Sequence, residues 1–114
     1  MSFDTSLWKR LQEEKKLARE SYRLQKLEEV KSLLADYFAG KNIEKVYLTG
    51  SIIRENYFAE YSDLDIAVVG LNPKEYFRVF GDLEELLGTE NIDLIEMERC
   101  SFRDFIESYG LRIL

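Results

Sequence analysis

LTGSIIRENYFAEYSDLDIAVV, residues 48–69, joins two apolar runs through a small-residue turn and an acidic pair. The first run closes on Gly50-Ser51, and the second follows Asp63-Leu64-Asp65. Short apolar runs bounded by turn residues are typical of buried strands. The segment therefore predicts a strand, a turn, a short helix and a second strand.

Two carboxylates are expected to lie side by side at the start of the second strand. Asp63 and Asp65 are two positions apart, so on a strand they share a face while Leu64 points to the other. Carboxylates this close repel each other unless a cation lies between them. Hard divalent cations such as Mg2+ bind carboxylate oxygens and often keep phosphate oxygens as further ligands. The pair therefore predicts a divalent-metal site.

The Gly50-Ser51 turn is the expected phosphate-binding half of the same cleft. Glycine lets a backbone approach a ligand closely, and the free N–H groups at the start of a helix bind anions. Arg54 lies about one helical turn after Ser51, so its guanidinium is expected to reach the same phosphates. The alternative for Arg54 is a surface salt bridge with Glu55 or Glu60.

This combination resembles the nucleotidyltransferase domain of the DNA polymerase beta superfamily, and most closely its minimal nucleotidyltransferase (MNT) branch. Those proteins carry a Gly-Ser pair, an Arg, a Ser-Asp-x-Asp motif and a later Asp on another strand. The matching positions are Gly50, Ser51, Arg54, Ser62, Asp63, Asp65 and Asp93. Relatives commonly read Gly-Ser-x-Ala-Arg-Gly, and Glu55 replaces the last glycine here. The resemblance covers about residues 27 to 114.

The resemblance implies an α/β (α+β) fold, with a small mixed sheet of about four strands and packed helices. It implies a transfer of a nucleoside monophosphate from an NTP, with ATP as the expected donor, to an acceptor hydroxyl. Two Mg2+ ions are expected as cofactors. The implied catalytic and metal-binding residues are Asp63, Asp65 and Asp93. The implied nucleotide-binding residues are Gly50, Ser51, Arg54 and Ser62.

Asp93 stands in an apolar run, residues 92–95, of a third predicted strand. A charge in such a run is costly unless it has a partner. The residues alone leave two explanations open: a third metal carboxylate, or a solvated strand end after Asn91. The resemblance favours the metal carboxylate.

The resemblance also implies a protein partner. MNT proteins commonly act as antitoxins that pair with a helical HEPN-domain toxin, and some silence that toxin by adding AMP to one of its tyrosines. An AMPylating antitoxin is therefore the expected function. Two alternatives stay open: a catalytically silent module that neutralises a partner by contact, and a free-standing transferase acting on RNA or a small molecule.

The composition indicates which cellular compartment and which kinds of partner suit this chemistry. The 114 residues have a net charge of −6, which does not favour nucleic-acid binding. No apolar run reaches the roughly 20 residues that span a bilayer, and residues 1–10 lack the long apolar core expected of a signal peptide. A single cysteine, Cys100, suits a reducing compartment, so we expect a cytoplasmic protein. Histidine is absent, which leaves carboxylate, Tyr, Lys or Cys side chains for acid–base chemistry.

Two parts of the chain are expected: a charged N-terminal helical extension, residues 1–26, and the nucleotidyltransferase domain, residues 27–114. Residues 5–38 lack Pro and Gly, and their second half has helical periodicity. The first half continues this helix outward or forms a separate one. Trp8, Leu11 and Tyr22 are expected to contact a partner or a second copy of the chain, or else to fold back on the sheet.

The remaining elements follow from apolar periodicity. Strands are predicted over residues 43–49, 64–69 and 91–97, and a short helix from Ser51 to about Tyr57. A last helix over residues 102–109 is expected to bury four side chains on the sheet: Phe102, Phe105, Ile106 and Tyr109.

Overall fold

The computed structural model describes residues 5–114, which form three helices and one four-stranded sheet. The helices are α1 (Thr5–Ala39), α2 (Tyr76–Leu87) and α3 (Arg103–Tyr109). The strands are β1 (Lys45–Thr49), β2 (Leu64–Val69), β3 (Ile92–Glu96) and β4 (Leu111–Arg112). Three single 3-10 turns lie between them: Gly50–Ile53, Pro73–Glu75 and Met97–Arg99.

The sheet is mixed, as predicted, with the strand order β3-β2-β1-β4. β2 pairs antiparallel with β1 and parallel with β3, and β4 pairs antiparallel with the other edge of β1. Ile66, Ala67 and Val68 of β2 are completely buried, because helices cover both faces of this strand. The sequence pattern of an acidic start followed by a continuous apolar run thus identifies an inner strand.

The two faces of the sheet are covered unequally. One face carries the main core, where Leu64, Ile66 and Val68 pack with α1 and α2. The other face is thinner, and there Ala67 and Val69 pack with Ile106 of α3. Strand alternation places Asp65 on this thinner face, at the end of β2 that α3 does not bury.

α1 is one continuous helix of 35 residues, about 52 Å long at 1.5 Å per residue. Residues 5–19 are exposed, and the first buried side chain is Arg23. Trp8 and Leu11 therefore project with the helix and do not fold back on the sheet. Within residues 5–114, no helix combines the length and the apolar character that crossing a membrane requires. The division of the chain at residue 26 stays a prediction.

The prediction that α3 buries four side chains on the sheet is wrong for three of them. Ile106 is fully buried, but Phe102, Phe105 and Tyr109 are 52%, 59% and 70% exposed. The helix has only seven residues, so one side chain anchors it to the sheet while the others extend beyond its edge. The same aromatic stripe is therefore an open surface.

Candidate active site

Three polar side chains form a row across the ends of neighbouring strands. Thr49 of β1 is the register partner of Asp65 in β2, and Asp65 is the register partner of Asp93 in β3. Register partners project from the same face, with Cβ atoms about 5 Å apart. The structure therefore brings two of the three predicted carboxylates together, on the face that α3 partly covers and at the strand ends that α3 leaves open.

Asp63 completes what we call the acidic cluster, formed by Asp63, Asp65 and Asp93. Asp63 lies just before β2 and is exposed, whereas Asp65 is half-buried. Burial raises the pKa of Asp65 from 3.8 to about 6, and repulsion from Asp93 and Asp63 contributes to the rise. A cation bound among these carboxylates would relieve both effects.

Two features of Gly50 explain why the turn after β1 can lie against the acidic cluster. Its backbone has a φ of 76°, a left-handed conformation that favours glycine. A Cβ atom at this position would also collide with Oδ2 of Asp65. The turn after β1 and the Asp65 carboxylate can therefore lie this close only because residue 50 has no side chain.

The predicted helix over residues 51–57 is wrong, because the chain forms only one 3-10 turn, Gly50–Ile53. Ile52 is buried in the core, and Asn56 has a φ of 70°, a left-handed conformation that a right-handed helix does not contain. Thr49 occupies the capping position without a side-chain bond, so the Ser51 hydroxyl is not a helix cap. What remains of the predicted anion site is a glycine turn with its backbone N–H groups.

Arg54 follows this turn and lines the same cleft as Gly50, Asp65 and Asp93. Its guanidinium carbon lies 4.2 Å from the centre of the Tyr57 ring, a cation–π contact that supports the side chain. No salt bridge joins Arg54 to Glu55 or Glu60. The guanidinium remains available to an anionic ligand.

Ser62 is one of three predicted site residues, with Ser51 and Asp63, that do not line this cleft. Its hydroxyl accepts a hydrogen bond of 3.0 Å from the backbone N–H of Ala59, which closes the turn before β2. The contact explains why a serine suits this position without any ligand.

Sequence reasoning missed the far wall of the cleft. The volume is about 680 Å3, and its lining beyond the predicted residues is Thr49, Ile53, Ile95, Phe102, Phe105 and Tyr109. The spacing of Phe102, Phe105 and Tyr109 on one helical stripe was the available signal. That spacing was interpreted as a buried face, whereas it borders the acidic cluster.

The carboxylates of the site form an incomplete set of metal ligands. Within residues 5–114, no group of three or more His, Cys, Asp or Glu side chains is arranged to hold a metal ion by itself. Mg2+ usually binds through one or two carboxylates together with waters and substrate phosphates, and seldom in all-protein cages. Asp65 and its strand partner Asp93 offer such a partial ligand set.

The family model for the nucleotidyltransferase domain of polymerase beta matches residues 28–113. The chain belongs to this family. Its nucleotidyltransferase domain therefore accounts for most of the sequence and for all four strands of the sheet. Comparison with curated protein sequences gives no significant match.

Two of the solved structures that are similar to this chain share its fold. One is a toxin–antitoxin with AMP-PNP, at 21% identity and a TM-score of 0.57, over 75% of this chain and 72% of that one. The other is the toxin–antitoxin MntA-HepT, at 20% identity and a TM-score of 0.51, over 80% of this chain and 71% of that one. At these identities, the likeness establishes the polymerase beta-like fold and nothing finer.

α1 is tied to the site of the nucleotidyltransferase domain by a charged clamp, formed by Arg23 and Glu20. Arg23 is only 7% exposed and donates a 3.0 Å hydrogen bond to the carbonyl of Ile52. It also donates to both carboxylate oxygens of Glu20, at 2.6 and 2.7 Å. Glu20 in turn accepts from the N–H of Asn56. The clamp therefore forms hydrogen bonds to both ends of the loop that carries Arg54.

Proposed function

We propose that the chain catalyses Mg2+-dependent nucleotidyl transfer from an NTP, ATP foremost, to a hydroxyl group on a partner protein. The observation that carries the proposal is the register pairing of Asp65 with Asp93, in the cleft that Gly50 and Arg54 also line. Carboxylates, a glycine turn and a guanidinium are the groups that bind a metal-bound triphosphate.

The acidic cluster fits a divalent cation by its chemistry. Asp65 is half-buried and repelled by Asp93 and Asp63, which is unfavourable for an ionised carboxylate without a counter-charge. Asp65 and Asp93 would hold Mg2+ together with oxygens of the triphosphate, and Asp63 would contribute from the strand entrance. Bound there, Mg2+ would neutralise phosphate charge and lower the pKa of the acceptor hydroxyl.

In this proposal, each residue of the site has its own role in the reaction. The Gly50 turn holds the phosphates with backbone N–H groups, and Arg54 offsets the charge of the triphosphate. The acceptor oxygen attacks the α-phosphorus, forming one P–O bond as the bond to the β-phosphate oxygen breaks. Pyrophosphate leaves, and the hydroxyl proton passes to a carboxylate of the acidic cluster.

The partner we propose is a helical HEPN-type toxin, with a toxin tyrosine as the acceptor and AMP as the group transferred. Both similar structures are toxin–antitoxin structures, and one of them contains AMP-PNP, which supports this assignment. The open cleft beside the acidic cluster leaves room for an acceptor side chain from another protein. The chain would then act as an antitoxin by covalent modification.

The test is transfer of label from each of the four α-labelled NTPs, with Mg2+ and with or without the co-expressed partner. We expect label on the partner, and loss of that label in Asp65→Asn and in Asp93→Asn. Asp36→Asn, an exposed carboxylate on α1, is the matched control and should label as wild type does. Labelling that survives Asp65→Asn would exclude the acidic cluster as the site.

A contact-only antitoxin is the second candidate, and one observation favours it. Trp8, Leu11 and Leu17 on the projecting half of α1 are exposed apolar side chains that a partner could cover. Measuring whether the Asp65→Asn variant still neutralises the toxin distinguishes the two candidate functions. If this variant protects cells as well as wild type does, neutralisation does not depend on transfer.

A further inference from the structure

The outer face of α3 is an unusual surface for a site of this charge. Phe102, Phe105 and Tyr109 lie at helical spacing, all of them are more than half exposed, and all line the cleft. Phe105 and Tyr109 contact each other with ring centres 4.9 Å apart and a tilt of 41°. We call these three residues the aromatic wall. Aromatic rings concentrated in a cleft usually mark a binding surface.

The sheet fixes where the aromatic wall lies relative to the acidic cluster. Tyr47, Ala67 and Ile95 form the row of register partners next to the Thr49–Asp65–Asp93 row. Ile106 of α3 packs on that apolar row. The two rows are about 7 Å apart, since side chains on one face recur every second residue. The wall therefore stands one row away from the carboxylates.

The cleft consequently presents two kinds of chemistry to a single ligand. Arg54, Asp65 and Asp93 are its charged groups, while Ile53, Ile95 and the aromatic wall are its apolar lining. Only the Tyr109 hydroxyl adds a polar side-chain group to the wall. A ligand that is complementary to this lining carries a charged, metal-binding group and a flat apolar ring. The two are separated by about the length of one sugar.

We propose that the aromatic wall is the nucleobase subsite, and that it holds the base by stacking and not by hydrogen bonds to the base edge. This rests on the proposed nucleotidyl transfer and specifies how the donor is recognised. Stacking on aromatic side chains tolerates any base, because every base has a π-face. The purine nucleotides, ATP among them, should therefore bind more tightly than CTP and UTP, whose rings are smaller.

The decisive experiment compares Mg-ATP with Mg-tripolyphosphate, which has the phosphates but no base, by calorimetry on the full chain. Phe105→Ala should weaken ATP binding by about 5–150-fold, the range measured when a stacking aromatic is removed. It should leave tripolyphosphate binding unchanged. Tyr109→Phe should retain ATP affinity, because the proposal assigns the ring and not the hydroxyl.

Phe77→Ala is the matched control, since Phe77 is 85% exposed on α2 and does not line the cleft. Equal ATP affinity in Phe105→Ala and Phe77→Ala would overturn the aromatic wall as a base subsite. The same holds if Phe105→Ala keeps its ATP affinity but loses the toxin, which would make the wall a protein contact.

Failure of the underlying function gives a different result. Wild-type protein that binds neither Mg-ATP nor Mg-tripolyphosphate would refute the nucleotidyl transfer and the base subsite together. Binding of both ligands with equal affinity would leave the phosphate site intact and refute the base subsite alone. Thermal unfolding of Phe105→Ala checks that the variant is folded, and Phe105→Leu repeats the comparison if it is not.

Discussion

Gly50 has no side chain, and two features of the site depend on that. Its φ of 76° lies in the left-handed region, which costs other residues roughly 1–2 kcal/mol. A Cβ atom would additionally collide with the Asp65 carboxylate. Local geometry alone therefore favours a glycine at residue 50.

Gly50→Ala should lower the free energy of unfolding by more than about 1 kcal/mol and should weaken Mg-ATP binding, because Asp65 has to move. Urea unfolding and calorimetry measure the two effects. Gly81→Ala is the control with the opposite sign: it has open space around it in α2 and should stabilise by about 0.5–1 kcal/mol. Equal effects of the two substitutions would contradict the assigned role of Gly50.

The carboxyl of Asp65 makes stability depend on pH. Its pKa is about 6 in the folded chain against 3.8 when unperturbed, because it is buried beside Asp93 and Asp63. Between these values the folded state binds more protons than the unfolded state. The contribution of Asp65 to stability therefore falls as pH rises from about 4 to 6, and stays low above that range.

Asp65→Asn should thus unfold at a higher temperature than wild type at about pH 8 without divalent metal, and the difference should vanish near pH 4. Thermal melts in EDTA across this range test it. Asp36→Asn, on the exposed face of α1, should follow wild type throughout. A wild-type melting temperature that rises over the same pH interval as much as that of Asp65→Asn would argue against strain at Asp65.

At the scale of elements, the clamp joins α1 to the loop that carries Arg54. Arg23→Ala removes the hydrogen bond to the Ile52 carbonyl and frees Glu20, which holds the N–H of Asn56. We expect a loss of about 1–2 kcal/mol in the free energy of unfolding. We also expect faster hydrogen exchange in residues 50–57, because both loop anchors weaken together.

Arg10→Ala is the matched control for this prediction, since Arg10 is an exposed arginine on the projecting part of the same helix. It should leave both the stability and the exchange of residues 50–57 unchanged. Loss of stability without faster exchange in the loop would limit Arg23 to a general packing role.

The strands and the grouping of the acidic residues were predictable, whereas the turn after β1 and the exposed face of α3 were not. β2 has an acidic start and a fully apolar run, so its limits follow from the pattern alone. The pairing of Asp65 with Asp93 needed the resemblance, because β3 is distant in sequence and its register has no local signal. Strand limits shifted by one or two residues at β1 and β3.

Helix faces were less predictable for a physical reason. Three apolar or aromatic residues of the seven-residue α3, together with Phe102 just before it, cover a wide arc, and only Ile106 is buried on the sheet. Periodicity identifies an apolar side but not which part of it meets the core. The predicted helix over residues 51–57 does not form, because Gly50 and Asn56 at its two ends adopt left-handed backbone conformations that a right-handed helix does not contain.

At the scale of the whole molecule, α1 makes the shape elongated. The extents are 66 × 29 × 19 Å and the radius of gyration is 17.3 Å, against about 13 Å for a compact chain of this length. The sequence could predict a helix over these residues, but not how far it would project. That depends on Tyr22, whose ring stacks on Phe58, and on Arg23, which is the first buried side chain of the helix.

The projecting helix also separates charge along the long axis. Residues 5–26 carry seven Lys or Arg and three Glu, whereas residues 27–114 carry nine basic and eighteen acidic side chains. The molecule is therefore a large electric dipole, with its positive pole on the free part of α1. The electric field of an acidic partner would orient the molecule so that the free part of α1 points toward the partner before contact. The association rate should therefore be highest at low ionic strength.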